Sequence, residues 1–228
     1  MMPAKGFAIF CGIYFVNYRI LTTTMKNLIV IGHPEKKSFC YSGIFKTIVE
    51  EIEKSKDEYE VIDLYRDKFT RPREKLIKKY QDLVLWTDRI YIISPVWWFR
   101  LTPRMEIFFD EVFKPGFAYK FVNITKTYAY PVPFLKKKKL RTYVTHGAPA
   151  LPVLTLYVNS VKLRLVMGVY SFVFGWSLSL FTKTKQFWSV PFVSDKKRKK
   201  YLEIVKKDIR RDLKSSKKNE KKLISAKA

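Results

Sequence analysis

Cysteine, glycine, histidine and acidic residues are all scarce in this sequence of 228 residues. Its two cysteines, Cys11 and Cys40, cannot build the disulfide framework that small secreted domains need, which favours a reducing compartment. The glycines form neither the Gly-rich dinucleotide fingerprint nor a P-loop. These absences exclude a disulfide-rich secreted scaffold and two glycine-based nucleotide sites.

The shortage of acidic residues leaves the chain strongly basic. The 45 lysines and arginines outnumber the 20 aspartates and glutamates, and the formal net charge is +25. Such a charge favours contact with anions, which include nucleotide phosphates, nucleic acid and an acidic membrane surface. The basic residues are scattered lysines without a recognised binding module, so a nucleic-acid binder is the less favoured class and no nucleic-acid partner is expected.

The amino terminus lacks an apolar run long enough to span a membrane. Its uncharged stretch covers residues 7–16, whereas a transmembrane helix needs about 20 apolar residues. The stretch has the length of a signal-peptide core, but no small-residue cleavage pattern follows it. Residues 1–24 are therefore interpreted as a leader outside the domain, either an over-called start before Met25 or a membrane-associating segment.

Short apolar runs alternate with helical patterns along the rest of the chain. Five runs predict strands, at residues 27–32, 60–64, 91–93, 140–145 and 176–187. Apolar residues at helical spacing predict helices between them, including one over 154–169, and a final amphipathic helix over 195–213. The alternation predicts an α/β fold, a flavodoxin-like three-layer sandwich whose five-stranded parallel sheet has the order 2-1-3-4-5. This domain covers residues 25–213, and a basic disordered tail is predicted for 214–228.

An aromatic loop follows the third predicted strand. Pro95 stops the strand because proline cannot donate to a sheet, and Pro103 suits the first position of the next helix. The residues between them include Val96, Trp97, Trp98 and Phe99. Ligands of open α/β sheets bind at the carboxyl ends of the strands, so this loop predicts a site for a flat aromatic ligand. The alternative is that the tryptophans pack the loop onto the domain.

Two further loops follow predicted strands and reach the same edge of the sheet. The first contains His33 and then Ser38, Phe39 and Cys40. Ser38 is a plausible N-cap, and a helix N-terminus with free amides and a hydroxyl suits a phosphate. Alone, His33 would more often be a loop histidine without a ligand. The loop after the fourth strand contains Thr145, His146, Gly147 and Ala148.

Three strings follow one another in this part of the chain: PVWWF at 95–99, FFDEVF at 108–113 and KPGFAY at 114–119. Together they resemble the NAD(P)H:quinone oxidoreductase family of DT-diaphorase-like flavoproteins. The resemblance spans about residues 25–213 and extends to the other two loops. It implies a flavodoxin-like fold, a bound FMN or FAD, and NAD(P)H as co-substrate. It also implies that all three loops contact the flavin: His33, Ser38, Phe39 and Cys40 on the phosphate side, the segment from Pro95 to Phe99 around the ring, and Thr145, His146, Gly147 and Ala148 at its pyrimidine end.

The resemblance further implies a reaction, in which hydride passes from NAD(P)H through the flavin to a quinone-like acceptor. A cytoplasmic homodimer is expected, with peripheral contact to the inner face of the membrane as a further option. The family's tyrosine and second histidine have no counterparts, since Val153 takes the tyrosine's place, Tyr157 is the nearest tyrosine and no histidine follows His146. Glu106 and Glu111 stand where the family has a lysine and an arginine. His146 is the candidate catalytic proton donor, and no metal site is predicted.

One alternative keeps the fold but changes the role of the protein. A non-catalytic or regulatory flavoprotein, attached to a membrane protein, would suit the apolar leader and the basic tail. An assay of NAD(P)H oxidation separates this alternative from an enzyme.

Overall fold

The computed structural model describes residues 24–225, and it describes side chains up to residue 215. The predicted leader therefore lies outside the described residues, apart from Thr24. The strands are β1 (Lys26–Ile31), β2 (Glu58–Asp63), β3 (Arg89–Pro95), β4 (Tyr119–Asn123), β5 (Ala129–Pro133), β6 (Lys139–Thr145) and β7 (Thr184–Phe187). The helices are α1 (Lys46–Ser55), α2 (Glu74–Trp86), α3 (Pro103–Val112), α4 (Ala150–Leu154), α5 (Ser160–Leu163), α6 (Ser171–Phe174), α7 (Ser179–Lys183) and α8 (Asp195–Ser225). Two π-helical segments, Phe39–Phe45 and Arg164–Tyr170, lead directly into α1 and α6.

A five-stranded parallel sheet forms the centre of the fold, in the order β2-β1-β3-β6-β7. The predicted flavodoxin-like fold and strand order are confirmed, with β6 and β7 as the fourth and fifth strands of the prediction. Between β3 and β6 the chain adds an antiparallel hairpin, β4–β5, which forms a sheet of its own.

Helices cover both faces of the sheet, because alternate side chains of each strand point to opposite faces. In β1, Leu28 and Val30 join the core under α2 and α3, while Ile29 and Ile31 join the core under α1 and α8. Every residue of β3 is buried, as expected of a central parallel strand covered on both faces.

Two predicted elements have different bounds in the structure. The strand predicted over 176–187 is limited to β7, because Ser177 Oγ accepts the amide N–H of Ser179 at 3.2 Å and α7 begins there. The helix predicted over 154–169 is broken, because Val158 and Asn159 both have a φ of 49° and cannot continue a right-handed helix.

The structure also extends the last helix. α8 runs to Ser225, whereas the sequence predicts disorder from residue 214. Lysine, glutamate and leucine are good helix formers, so the backbone continues as helix beyond the apolar face that packs on the sheet. The division of the chain into a domain and a tail stays a prediction.

Candidate active site

The three predicted loops meet in a cleft of about 490 Å³ at the carboxyl ends of β1, β3 and β6. Ten predicted site residues line it: His33, Ser38, Phe39, Cys40, Pro95, Val96, Trp97, Thr145, His146 and Gly147. The predicted residues Trp98, Phe99 and Ala148 are not among its lining. The lining also contains residues that the sequence did not single out: Glu35, Lys37, Ser42, Val190, Pro191 and Arg198.

Backbone hydrogen bonds hold these loops at one edge of the sheet. The amide of Val96 donates to the carbonyl of Thr145 at 2.8 Å, which joins the loops after β3 and β6. The amide of His146 donates to Phe187 at 2.8 Å, and the amide of Val190 donates back to His146 at 2.9 Å. The loop after β7 is thereby fixed beside the loop after β6.

Ser38 occupies the N-cap position of the π-helical segment that precedes α1. Its backbone is extended, with φ −62° and ψ 155°, and its carbonyl accepts the amide of Ser42 at 2.9 Å. Its hydroxyl forms no capping hydrogen bond, which corrects the prediction that it caps the helix. That hydroxyl is buried in the cleft lining without any partner among the described residues. An unpaired buried hydroxyl costs free energy, so a ligand oxygen would find an unused donor here.

His33 contributes a defined hydrogen-bond donor to the same part of the cleft. The amide of Glu35 donates to His33 Nδ1 at 2.9 Å, so the neutral ring carries its proton on Nε2. Burial lowers the pKa of His33, which favours this neutral form. The ring meets Trp97 edge-on, at 6.4 Å between centroids.

Two cations and one acid line this cleft, so it suits an anion. They are Lys37, Arg198 and Glu35. The Arg198 guanidinium donates to the carbonyls of Val190 and Pro191 at 3.2 Å each, which ties α8 to the loop after β7. The loop after β7 reaches the same edge of the sheet as the loops after β1, β3 and β6. This topological signal could have identified Val190, Pro191 and Arg198 from the sequence.

His146 is almost fully buried, at 3% exposure, and its ring packs on Trp188 with 4.3 Å between centroids. Its Nε2 lies 3.0 Å from the side-chain amide nitrogen of Gln186. An amide nitrogen can only donate, so in this orientation Nε2 accepts and the neutral ring carries its proton on Nδ1. Burial lowers the pKa of His146 to about 4, which leaves the ring uncharged near neutral pH.

Cys40 behaves as a packed hydrophobic side chain rather than as a reactive thiol. Burial raises its pKa to about 12, although Thr145 Oγ1 lies 3.3 Å from the sulfur. The thiolate is the nucleophilic form, so near neutral pH this cysteine is unreactive.

The aromatic loop contributes one ring to the cleft and presents two elsewhere. Trp97 and Arg100 exchange backbone hydrogen bonds of 2.7 and 2.9 Å, and Trp98 and Phe99 form the turn between them with φ of 49° and 58°. This conformation normally favours glycine or asparagine. It leaves Trp98 at 94% exposure and packs Phe99 against Tyr157, with 4.3 Å between centroids. The structure therefore places only Trp97 in the cleft, and contact of Trp98 and Phe99 with a ligand stays a prediction.

Gly147 and Ala148 have different positions in the loop after β6. A Cβ added to Gly147 would meet nothing within 4 Å, so the backbone there borders open space in the cleft. The carbonyl of Ala148 accepts the amide of Ser189 at 3.0 Å, which anchors the loop outside the cleft lining. The glycine thus leaves room for a ligand to approach the main chain.

The positions that depart from the family pattern have structural partners here. Val153 is buried and carries no polar group. Glu106 pairs with Arg164, and Glu111 pairs with Arg73. These glutamates therefore hold α3 against its surroundings, and none of the three lines the cleft.

Comparison with known proteins identifies the family. Residues 25–154 match the family with the flavodoxin-like fold, and the chain belongs to it. A 142-residue segment is 27% identical to an uncharacterized NAD(P)H oxidoreductase of Haemophilus influenzae, and it covers 54% of this chain and 65% of that relative. The chain thus spans less than two thirds of the relative's length.

Solved structures share the fold. An NAD(P)H:quinone oxidoreductase from Methanothermobacter marburgensis has a TM-score of 0.63 and 20% identity, over 82% of this chain and 98% of that one. An FMN-dependent NADH-azoreductase from Bacillus anthracis, in complex with FMN, has a TM-score of 0.60 and 13% identity, over 84% of this chain and 99% of that one. The predicted resemblance to the NAD(P)H:quinone oxidoreductases is confirmed.

The described residues include no candidate membrane span and no cluster of metal ligands. None of the helices there is both long enough and apolar enough to cross a membrane. No group of three or more histidine, cysteine, aspartate or glutamate side chains in the described part of the chain could hold a metal ion.

Proposed function

We propose that the protein is a flavin-dependent NAD(P)H oxidoreductase that transfers a hydride from NAD(P)H through FMN to a quinone-like acceptor. The observation that carries this proposal is the buried hydroxyl of Ser38, which has no partner among the described residues and lies in a cleft at the carboxyl ends of three parallel strands. Ligands of this class of fold bind at that edge. The names of the relative and of the two solved structures support the activity and favour FMN over FAD.

The residues at one end of the cleft fit a phosphate group. Ser38 offers an unused hydroxyl at the start of a helix, and His33 offers a neutral Nε2–H donor. Lys37 and Arg198 add positive charge, and helix N-termini favour anions. Together these groups would hold the phosphate of the cofactor.

The other end of the cleft fits a flat ring system. Trp97 and Val96 supply apolar surface, and Gly147 lets a ligand reach the main chain. A bound flavin would supply the redox chemistry by taking a hydride from the nicotinamide and passing electrons to the acceptor. The protein's part is to orient both substrates and to keep water from the site.

His146 remains the proposed catalytic residue, with a modified role. Because its pKa is lowered to about 4, the imidazolium form is scarce near neutral pH. The neutral ring holds its proton on Nδ1 while Nε2 accepts from Gln186. We therefore assign it hydrogen-bond donation within the cleft and not transfer of a proton from a charged acid.

The first prediction concerns cofactor and turnover. The purified protein is expected to be yellow, to bind FMN stoichiometrically, and to oxidise NADH or NADPH when menadione is supplied. Absorbance spectra and a steady-state assay measure both properties. A protein that takes up neither FMN nor FAD contradicts the proposal, and one that binds FMN without turnover indicates the regulatory alternative.

We further propose that the working unit is a cytoplasmic homodimer. Trp98 is nearly fully exposed on a strained turn, and the next residue, Phe99, packs on Tyr157. Leu156 and Val158, on either side of Tyr157 in the chain, are also exposed. Apolar surface of this kind marks an interaction site. The other partner that such a surface and a net charge of +25 would suit is an anionic membrane, bound by peripheral contact.

The second prediction is that Trp98→Ala weakens dimerisation about tenfold or more, as expected of a tryptophan at the centre of an interface. The stability of the monomer should not change, because the side chain is 94% exposed. Sedimentation equilibrium measures the association constant. Trp176→Ala, at another exposed tryptophan, is the matched control and should leave it unchanged. Equal association in both variants and the parent would place the interface elsewhere.

A further inference from the structure

A second cleft lies at the opposite edge of the sheet, where β3 and β6 begin. It has a volume of about 530 Å³, and its walls include α7, β7 and α8. Within the described residues it shares no lining residue with the candidate active site. We call it the basic cleft, because six of its lining residues are cationic: Arg89, Lys139, Arg141, Lys183, Lys185 and Arg211.

The acids near the basic cleft are already engaged with arginines. Asp212 is the one acid in the lining that the structure describes, and its carboxylate accepts two hydrogen bonds from Arg141, at 2.6 and 2.8 Å. Asp208, on the same helix, lies 3.1 Å from Arg141 and 2.7 Å from Arg211. These two carboxylates therefore balance these two arginines.

Lys183 and Lys185 add positive charge to the basic cleft. In the described part of the chain, no carboxylate forms an ion pair with Lys183 or Lys185. Both side chains are partly buried, in contrast to a solvated row of surface lysines. Burial lowers the pKa of Lys183 and of Lys139, and Arg89 lowers both further, while Asp212 acts in the opposite direction. A bound anion would offset this repulsion.

We propose that the basic cleft binds a phosphate-bearing ligand. Lysine ammonium groups bind phosphate as point charges, and the hydroxyl of Ser215 in the lining adds an uncharged donor. The volume falls in the range of small-molecule sites, about 300–1,000 Å³, so it admits more than a bare ion. The phosphate belongs either to a soluble metabolite or to the headgroup of an anionic lipid.

The surface next to the basic cleft is compatible with both sources. A neighbouring depression on α8 shares Arg211 and Ser215 with it and adds Lys207, Arg210 and Lys214. Positive charge thus continues from the cleft along the helix. A lipid headgroup held in the cleft would lie beside a surface that attracts other anionic lipids.

The test uses inorganic pyrophosphate as the probe, titrated calorimetrically into the full chain at constant ionic strength. FMN is supplied at one equivalent per chain, so that it fills the candidate active site without competing with the probe for the basic cleft. The variant K183Q/K185Q removes the two unpaired charges and is expected to bind pyrophosphate at least about tenfold more weakly. The variant K183R/K185R keeps the charges and should bind like the parent.

The matched control is K120Q/K126Q, which makes the same change in net charge on the exposed hairpin β4–β5 and touches neither cleft. It should bind pyrophosphate like the parent. Equal affinity in the parent, the cleft variant and the control overturns the proposal, and so does a parent that does not bind. Circular dichroism confirms that each variant is folded.

A second arm separates the two sources of phosphate. Sedimentation with phosphatidylcholine vesicles that contain phosphatidic acid is compared with vesicles of phosphatidylcholine alone. A loss of binding to the acidic vesicles in K183Q/K185Q, but not in K120Q/K126Q, assigns the site to a lipid headgroup. If K183Q/K185Q loses affinity for pyrophosphate but binds the acidic vesicles like the parent, the site is assigned to a soluble ligand. Equal loss of vesicle binding in both variants, with pyrophosphate affinity unchanged, contradicts a phosphate site in the basic cleft.

Discussion

Replacing Arg141 by alanine is expected to lower the free energy of unfolding by about 3–5 kcal/mol, because it removes the buried guanidinium that pairs with two carboxylates of α8. Arg141 lies near the start of β6 and is 2% exposed. Its guanidinium donates two hydrogen bonds to Asp212 and lies 3.1 Å from Asp208, whose side chain is 5% exposed. Both aspartates belong to α8, so the pair joins that helix to β6.

Denaturant unfolding monitored by circular dichroism measures this loss. The matched control is Lys78→Ala, which breaks an ion pair with Asp82 whose side chains are 68% and 58% exposed. Exposed pairs contribute about 0.2–1 kcal/mol, so the control should remain close to the parent. If both variants lose the same small amount of stability, the network around Arg141 is not the buried anchor that its geometry indicates.

The sequence predicts the centre of the fold well, since buried parallel strands are continuous apolar runs and are easily recognised. β1 and β3 are the best examples, and their loops were correctly assigned to one edge of the sheet. The sequence predicts no strand at the hairpin β4–β5, because its exposed strands lack a buried face.

The contacts of α8 could not be predicted from local patterns. Arg141 and Asp212 are separated by 71 positions, and their pairing follows only from the packing of the last helix on the sheet. Arg198 reaches the cleft for the same reason. The outward turn at Trp98 and the helix break at Val158 both depend on a positive φ, which tryptophan and valine rarely adopt. The residue types at these positions therefore do not predict the backbone conformation.

Ser38→Ala is expected to weaken FMN binding about tenfold to a hundredfold, since a hydrogen bond to a charged group contributes about 1.5–3 kcal/mol. The hydroxyl is buried in the cleft and forms no bond within the described residues, so it is available to a phosphate oxygen. Fluorescence titration with FMN measures the dissociation constant. Turnover at saturating FMN should be unchanged, because the substitution lies at the proposed phosphate end.

The stability of the protein without FMN distinguishes a ligand contact from a helix cap. Because Ser38 makes no capping hydrogen bond, its alanine variant should unfold at the same temperature as the parent, or slightly higher once an unpaired polar group is removed. Ser42→Ala is the matched control, since that hydroxyl lines the same cleft but already donates to the carbonyl of Ser38 at 2.9 Å. It should retain most of the FMN affinity. A Ser38→Ala variant that is less stable without FMN, yet binds FMN like the parent, would show that the hydroxyl caps the helix and that the phosphate lies elsewhere.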